Sequence, residues 1–499
     1  MPTPSSHENT RTEKDAMGEM RVPEGALYGA STQRAVINFP ISGRPVPASV
    51  IDAYAHLKKA AARINADLGL LSAERADLIA AACDEIAGGL AEHGGIARHF
   101  PVDVFQTGSG TSTNMNVNEV VANLVCLVRG AAIGSSKDKA YLDAGGVHPN
   151  DHVNMGQSSN DTFPTAMHIA AAVRLAAGLR PAAERTADRL DALARRWDSI
   201  VKIGRTHLQD ATPIRLGQEF GGYAQQMRRA VERIDLAVHQ LGELPIGGTA
   251  VGTGINTHPE FSRGVCRTLT DDVGADLGIR FREADNHFEA QHAKDTYVEV
   301  SGLLKTIAVS LSKIANDIRW LGSGPRCGIG ELKLPAVQPG SSIMPGKVNP
   351  VICEAAVMVA CQVIGNDAAV TYGGFGGVGS VLDLNVAMPM MADNLLGSIE
   401  LLTGALNTFN SSLLDGLEAD AARCESLIEG SLAMCTSLVP VIGYDASAKL
   451  AYRAYSEGKT IRQLALEDKL LDEARLNELL DARSMTEPSA ESAGGAGSG

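Results

Sequence analysis

The sequence lacks the features that mark several large classes of protein. The formal net charge is -14 over 499 residues, and no basic stripe accompanies it. Nucleic-acid-binding proteins normally carry such a stripe, so we predict no nucleic-acid partner. The negative balance does not exclude a small anionic substrate, because salt screens the summed field beyond about 8–10 Å.

Cysteine pairs and long apolar runs are also missing. The eight cysteines form no C-x-x-C pair, and their spacing suits neither a zinc site nor an iron–sulfur cluster. We therefore predict no metal site and a reducing, cytoplasmic compartment. No run of about 18 uninterrupted apolar residues appears, which predicts that no segment spans a membrane. The N-terminal segment lacks the apolar region of a signal peptide.

What the sequence does contain is a set of long amphipathic helices. One apolar stripe has an unbroken 4-3-4-3 spacing, which is typical of helices packed side by side: Val300, Leu304, Ile307, Leu311, Ile314, Ile318 and Leu321. Further stripes begin at Phe220, Val357 and Leu395, and another helix should end at Trp197. The stripe that begins at Val357 continues through Cys361, Ile364 and Ala368. Strand alternation is scarce, so we predict an all-α fold.

The predicted organisation has three domains and a tail. We expect an N-terminal, mainly helical domain over 1–155, a long-helix bundle over 156–412 and a small helical domain over 413–488. Residues 489–499 are small and polar, which predicts a disordered tail. Extra apolar positions beside the stripes indicate that the bundle contacts other subunits; the alternative is a large monomeric bundle.

Four polar clusters stand out as candidate binding loops. They are GSGTSTNMNVNE at 108–119, HPNDHVNMGQSSND at 148–161, GRTHLQDATP at 204–213 and GSSIMPGKVNP at 340–350. Two of them precede a predicted helix: Ser158–Asn160 come before Pro164, and Asn349 is a candidate N-cap before Pro350. Free N–H groups at a helix start attract carboxylates, and Lys347 adds a positive charge. The clusters together therefore suit a small dianion, although each alone is more often an ordinary capping or turn loop.

Single residues in these clusters leave alternatives open. His207 lies in a predicted loop between polar neighbours, where a histidine is more often a structural hydrogen-bonding residue than an acid or base. Ser341 and Ser342 likewise have the sequence context of turn residues. The glycine-rich run at 373–380 has no preceding strand and no following Lys-Ser/Thr, so we interpret it as a flexible loop and not as a phosphate loop.

With these clusters in order, the chain resembles the fumarase/aspartase superfamily, and within it the class II fumarases. The fourth cluster matches the superfamily signature GSSxMPxKxN without a gap, and the similarity runs from about residue 11 to the predicted tail. One region departs from the family pattern: 381–391, VLDLNVAMPMM, lacks an Asn-Phe-Glu and a basic residue that many members carry there.

The resemblance implies a fold, an assembly and a reaction. It implies three all-α domains, a central five-helix bundle, and a homotetramer with a twenty-helix core whose active sites each gather residues from three subunits. The implied reaction is the reversible anti addition of water to fumarate, giving L-malate, without a cofactor.

The resemblance also assigns residue roles. Ser341 is implied as the base at C3, with Lys347 and Asn349 stabilising the carboxylate, His207 acting through water on the hydroxyl side, and Glu354 pairing with His207. Implied substrate contacts are Ser109, Gly110, Thr111, Ser158, Ser159, Asn160, Thr206, Ser342 and Val348, besides Asn349. A second dicarboxylate site is implied at His148, Pro149, Asn150 and Asp151.

Two other functions remain open at this stage. An ammonia-lyase such as an aspartase would use the same scaffold and differ only in the leaving group. A non-catalytic structural protein on the same fold is the second alternative; it would not need His207, Ser341 and Lys347 together.

Overall fold

The structure, a computed structural model, describes residues 9–488, and most of these residues are helical. The α-helices in chain order are α1 (Ala30–Asn38), α2 (Ala48–Asp67), α3 (Ala73–Ala87), α4 (Ile96–His99), α5 (Thr111–Val128), α6 (Lys139–Asp143), α7 (Ser159–Arg174), α8 (Arg180–Arg196), α9 (Leu216–Leu241), α10 (Phe261–Leu269), α11 (His287–His292), α12 (Asp295–Leu321), α13 (Val351–Gly374), α14 (Met388–Ser412), α15 (Ala421–Ile428), α16 (Val439–Ile442), α17 (Tyr444–Glu457), α18 (Ile461–Glu467) and α19 (Glu473–Leu479). The mostly helical fold predicted from the sequence is confirmed.

Strands in the described chain form only two-stranded pairings. They are β1 (Thr10–Asp15), β2 (Gly18–Pro23), β3 (Val201–Thr206), β4 (Gln209–Arg215), β5 (Glu243–Leu244), β6 (Arg282–Glu283), β7 (Leu332–Lys333), β8 (Ser380–Val381), β9 (Leu384–Asn385) and β10 (Glu418–Ala419). The pairs are β1–β2, β3–β4, β5–β6, β7–β10 and β8–β9, and β5–β6 is the parallel one. The 204–213 cluster was expected to be a loop, but it lies on the β3–β4 hairpin.

The apolar stripes predict the buried faces of most long helices correctly. Every residue of the stripe from Val300 to Leu321 on α12 is buried, and so is the α14 stripe that begins at Leu395. Trp197 is buried at the end of the α8 segment. The regular heptad spacing was decisive, because only one face of each of these helices is apolar enough to enter a core.

Helix α13 is the exception, because its predicted stripe faces outward. Cys361, Ile364 and Ala368 are exposed, and the buried positions are Cys353, Ala356, Ala360, Val363, Asp367 and Val370. The helix is apolar on all sides, so its sequence contains two stripes and spacing alone cannot choose between them. By length and composition α13 would also meet the requirements for crossing a membrane, with 33% of its most apolar window buried.

The chain divides into two compact units that interleave along the sequence. The first contains residues 1–181, 231–308 and 359–403, and the second contains 182–230, 309–358 and 404–499. This division follows packing within one chain, and the three-domain boundaries at 155 and 412 stay a prediction. The predicted disordered tail, 489–499, lies outside the described residues.

In the second unit, the C-terminal helices build their own core. Met434, Leu438, Leu450, Ile461, Leu464 and Leu476 are buried together, and they lie within the small helical domain predicted over 413–488, whose bounds stay a prediction. Ile203 of strand β3 also belongs to this core, with 1% of its surface exposed. The strand that precedes His207 is thereby anchored by residues more than two hundred positions away in sequence.

Candidate active site

Three hydroxyl groups of the first and second clusters meet inside the first unit. Ser109 Oγ lies 2.8 Å from Thr111 Oγ1, which lies 2.7 Å from Ser159 Oγ. Ser109 and Ser159 are both more than nine-tenths buried. The sequence had suggested loops here, but Thr111 and Ser159 are the first residues of α5 and α7. Two helix starts therefore present adjacent hydroxyls with their free N–H groups, the arrangement that suits an anion.

Gly110 is the residue that allows the two helix starts to come together. Its φ is 75°, in the left-handed region that favours glycine, and it is the N-cap of α5. A Cβ atom at this position would lie 2.0 Å from the Phe163 ring on α7. We expected Gly110 as a substrate contact, and its surroundings also give it a packing role.

The start of α7 forms a capping box, and the helix begins at Ser159, before the Pro164 that was expected to follow its start. Ser158 Oγ accepts from the N–H of Asn160, and the Ser158 N–H donates to Asp161 Oδ1 at 2.9 Å. Asp161 also accepts the N–H groups of Gly247 and Thr249 at 3.0 and 2.9 Å. Burial raises the pKa of Asp161 to about 6, although these bonds favour the carboxylate. Asn160 Nδ2 donates to Ala250 O, so the 247–250 loop is held against the cluster.

A buried lysine that the sequence analysis missed lies beneath this cluster. Lys58 on α2 has no exposed surface, and its Nζ donates to Asn154 Oδ1 at 3.0 Å and Gln157 Oε1 at 2.9 Å. Asn154 Oδ1 also accepts from Asn114 and Asn118 of α5. Burial lowers the pKa of Lys58 to about 7. The sequence feature that indicates a buried polar network here is the Asn-x-Asn-x-Asn run at 114–118, which is unusual inside a buried helix.

The residues expected at a second dicarboxylate site form a single π-turn, Pro149–Val153. His148 Nδ1 accepts the N–H groups of Asn150 and Asp151 at 3.2 and 3.1 Å. An Nδ1 that accepts two donors is unprotonated, so its 3.3 Å approach to Asp151 is not an ion pair. Burial lowers the pKa of His148, which agrees with the neutral ring. A cavity of about 390 Å³ adjoins this turn, lined among others by Asn150, Asp151, Ser158, Thr249 and Asn256.

In the second unit, His207 occupies the tip of the β3–β4 hairpin. Thr206 pairs with Gln209, so His207 and Leu208 form a two-residue turn. Both have positive φ, 57° and 60°, where Asn-Gly would be usual. Their side chains are exposed. Strained non-glycine residues cluster at functional sites, which favours a role in chemistry for His207 over the structural alternative.

The signature loop, 340–349, is closed by its own hydrogen bonds. Gly340 N donates to Lys347 O at 2.9 Å, and Asn349 Nδ2 donates to Gly340 O at 2.7 Å. Asn349 was expected to cap the following helix; instead its amide closes the loop, and α13 begins at Val351. Ser342, Lys347 and Val348 are exposed.

Ser341 is turned inward within this loop. Its Oγ accepts the N–H groups of Ile343 and Met344 at 3.2 and 3.1 Å. In the chain from 9 to 488 no hydrogen bond or ion pair joins His207 to Glu354, the pair implied by the resemblance. Glu354 is exposed near the start of α13. Within residues 9–488, no hydrogen bond or ion pair joins the third cluster, 204–213, to the fourth, 340–350.

Comparison with known proteins now identifies the chain. A lyase family pattern matches residues 18–365, and a fumarase C C-terminal pattern matches 434–487. The class II fumarate hydratase of Corynebacterium glutamicum is 51% identical over 94% of this chain and 93% of that protein. The chain belongs to the class II fumarate hydratase family.

Other relatives agree with this family. The mitochondrial fumarate hydratase of Danio rerio is 49% identical over 97% of this chain and 91% of its own. The crystal structure of a class II fumarase from Schistosoma mansoni matches with a TM-score of 0.90 and 37% identity, over 96% of this chain and all of that one. The protein is a fumarate hydratase, a hydro-lyase that adds water to fumarate to give L-malate.

Proposed function

We propose that this fumarate hydratase uses Ser341 as the base that removes the C3 proton of L-malate. The observation that carries the proposal is the pair of N–H groups, from Ile343 and Met344, that point at Ser341 Oγ. A serine hydroxyl is a weak base, and donors aimed at its oxygen stabilise the alkoxide form. The same oxygen then holds the proton that leaves C3.

The electrons left at C3 move into the adjacent carboxylate, which becomes an aci-carboxylate dianion. Lys347 and Asn349 stand at the end of the loop that carries Ser341, and they supply the charge and the donor for this group. His207 donates a proton, through water, to the departing C2 hydroxyl. The products are fumarate and one water molecule, and the reverse sequence is the anti hydration.

The remaining residues of the proposed site bind the substrate. Ser109, Thr111, Ser158, Ser159 and Asn160 hold the dicarboxylate at the two helix starts of the first unit, with Gly110 allowing their approach. Thr206, Ser342 and Val348 complete the contacts, and Glu354 orients His207 in the assembled protein. His148, Pro149, Asn150 and Asp151 form a second dicarboxylate site. The reaction needs no metal and no cofactor.

The proposed assembly is a homotetramer whose active sites are shared by three subunits. Its support is the apolar face that α13 exposes in one chain: Met358, Ile364 and Tyr372 have 67%, 44% and 66% of their surface exposed. A helix that is apolar on every side is normally buried on every side, and subunit association buries it. Such packing forms the core of twenty helices implied by the resemblance and accounts for α13 without a membrane.

We also propose a cytoplasmic location. All eight cysteines lie in the described part of the chain and none is paired there, which agrees with a reducing compartment.

The roles are tested by following fumarate absorbance after L-malate is added to EDTA-treated enzyme. The wild-type enzyme should produce fumarate rapidly, with none from L-aspartate. Ser341→Ala should lose nearly all turnover with the assembly intact, and a variant that keeps more than a tenth of the activity would exclude Ser341 as the base. His207→Asn should lower turnover and remove one limb of the bell-shaped pH profile. An unchanged bell would place the acid elsewhere.

A Met358→Glu substitution tests the assembly. A charge on the buried face of a subunit interface is costly to desolvate, so sedimentation should show smaller species and activity should fall with them. Met17→Glu, at a position 79% exposed in the β1–β2 turn, is the matched control and should leave the assembly intact. A tetramer that survives Met358→Glu unchanged would contradict this use of α13.

A further inference from the structure

The turn that carries His207 is strained, and strain of this kind persists only when its surroundings hold it. His207 and Leu208 both adopt the left-handed backbone conformation, which is strained for residues other than glycine. Neither side chain is buried. The restraint must therefore come from the base of the hairpin and not from its tip.

One such restraint is a buried ion-pair cluster around Glu331. The Glu331 carboxylate has no exposed surface and accepts two parallel hydrogen bonds from Arg205, at 2.9 and 2.8 Å. Lys202, also buried, lies 3.2 Å from the same carboxylate and 3.0 Å from Glu219 on α9. A two-point guanidinium–carboxylate contact fixes orientation as well as distance. Arg205 is two residues before His207, so this contact acts close to the tip.

Glu331 is itself held by the backbone on both sides. Its N–H donates to Leu321 O at the end of α12, and its C=O accepts from Asp420 N, both at 2.8 Å. The next residues, β7, pair with β10. The carboxylate is thus a fixed point of the second unit to which the hairpin is attached.

The second restraint acts through Ile203. Its side chain belongs to the C-terminal core, and the register shifts between Ile203 and Arg205. The residue at that irregularity is Gly204, where a Cβ atom would lie 2.8 Å from Thr212 O. A bulge re-aims the residues beyond it. Lys202, Ile203 and Arg205 can therefore all reach buried partners within four residues.

We infer that Glu331 is a positioning residue for the hydration reaction: through Arg205 and Lys202 it holds the hairpin tip, and with it His207, in catalytic geometry. The inference rests on the proposed role of His207. According to this inference, the Arg205–Glu331 contact and the C-terminal core together keep the strained, exposed turn that carries His207 in one conformation.

Glu331→Gln is the direct test, because it keeps the shape of the side chain and removes its charge. We expect kcat to fall about 10- to 100-fold with KM changed by less than about threefold, since a misplaced acid slows chemistry more than binding. The charged groups of the hairpin are Lys202, Arg205, Asp210 and Arg215, and the acidic groups that form ion pairs with it are Asp198, Glu219, Glu331 and Glu487. Loss of the Glu331 charge also changes the electrostatic potential at the hairpin tip, so the pH profile of kcat should differ from that of the wild-type enzyme.

Two further variants keep the test decisive. Arg205→Lys retains the charge but loses the two-point contact, and it should give a smaller fall in kcat; it replaces Glu331→Gln if that protein does not fold. Glu219→Gln removes a carboxylate from Lys202 but leaves the Arg205–Glu331 contact intact, so its kcat should stay within about twofold of wild type. The thermal midpoint of each variant is recorded in parallel.

The outcomes separate this inference from the role of His207. If His207→Asn removes a limb but folded Glu331→Gln keeps wild-type kcat and pH profile, the positioning inference is wrong and the role of His207 stands. If Glu331→Gln only reduces the amount of folded enzyme, the residue is structural and the inference is again wrong. If His207→Asn leaves the bell unchanged, the proposed role of His207 fails, and the inference built on it fails with it.

Discussion

The serine–threonine cluster of the first unit and the signature loop of the second are built in opposite ways. Ser109 and Ser159 are buried, and their hydroxyls are linked through Thr111 above a network that includes Lys58. Lys347 and its neighbours in the 340–349 loop are exposed, and short-range hydrogen bonds within the loop hold it. The hydroxyl groups of the serine–threonine cluster bond to one another in the interior, whereas Lys347 and its neighbours in the signature loop are exposed.

The proposed roles divide in the same way: the buried cluster binds the substrate, and the exposed loop carries out the chemistry. An enclosed polar cluster is rigid and can hold a substrate carboxylate without rearranging, whereas an exposed glycine-bounded loop can close over a substrate and exclude water. Substitutions in the enclosed cluster should therefore change stability and KM. Substitutions in the exposed loop should change kcat and leave stability alone.

Lys347→Met should have the largest effect and should be purely catalytic. Loss of a fixed charge aimed at the developing dianion typically costs about 100- to 1000-fold in kcat. Because Lys347 is exposed, the thermal midpoint should not change. Steady-state kinetics and a thermal melt measure both quantities. Lys449→Met, at an exposed position on α17, is the control and should change neither kcat nor the thermal midpoint. A large loss of stability in Lys347→Met would contradict the distinction between the buried cluster and the exposed loop.

Gly110→Ala should have the opposite signature. The added Cβ would lie 2.0 Å from the Phe163 ring, so α5 and α7 must separate at their starts, at a cost of about 1–3 kcal/mol from overpacking plus about 1 kcal/mol of backbone strain. Gly130→Ala is a matched control, since its φ is 70° and nothing lies within 4 Å of its Cβ position. The difference between the two thermal melts isolates the clash. Equal melting points would show that the helix starts do not depend on Gly110.

Lys58→Met should raise KM several-fold and change the pH dependence of stability. Burial lowers the folded-state pKa of Lys58 from 10.5 to about 7, so the unfolded chain binds the extra proton between these values. The wild-type protein should therefore gain stability, by up to about a few kcal/mol, as pH rises from 7 towards 10.5. The variant should lack this gain. Thermal melts of both proteins across this pH range measure the gain in stability. If stability depends on pH in the same way in both proteins, the lowered pKa of Lys58 is contradicted.

His148→Asn should have the smallest effect. Asparagine also accepts backbone N–H groups at a helix start, so the π-turn should persist and stability should change by less than about 1 kcal/mol. The turnover number at saturating L-malate should stay within about twofold of wild type, because the residue lies outside the reacting groups. A loss of tenfold or more would move the second site into the catalytic machinery.

The sequence predicts those parts of the molecule whose pattern is local and unambiguous. The α12 stripe from Val300 to Leu321 keeps one regular heptad spacing over its whole length, so its buried side follows from that spacing. A helix start close to Ser158 is also predicted, and α7 begins at Ser159, five residues before Pro164. The signature loop is recognised from its residues, and its tight closure agrees with its glycines.

Other features depend on contacts that no local pattern records. Lys58 lies in an ordinary helical sequence, and only tertiary packing buries it beneath Asn154. The β3–β4 turn has His207-Leu208 where Asn-Gly would signal a hairpin, so the sequence alone favours a loop there. Glu331 meets Arg205 from 126 residues away. The second apolar face of α13 is exposed in the described chain, residues 9–488, so spacing alone could not show which of its two stripes is buried.

The most direct test of the divided site is activity in hybrid assemblies of Ser341→Ala and His207→Asn chains, compared with the activity of each variant alone. The two proteins are co-expressed with different tags, and tetramers that carry both tags are purified. If each site takes Ser341 and His207 from different subunits, about a quarter of the sites in randomly mixed tetramers regain both residues, and a similar fraction of wild-type activity should return. Hybrids no more active than the separate variants would mean that one chain supplies both residues, which would contradict the shared site.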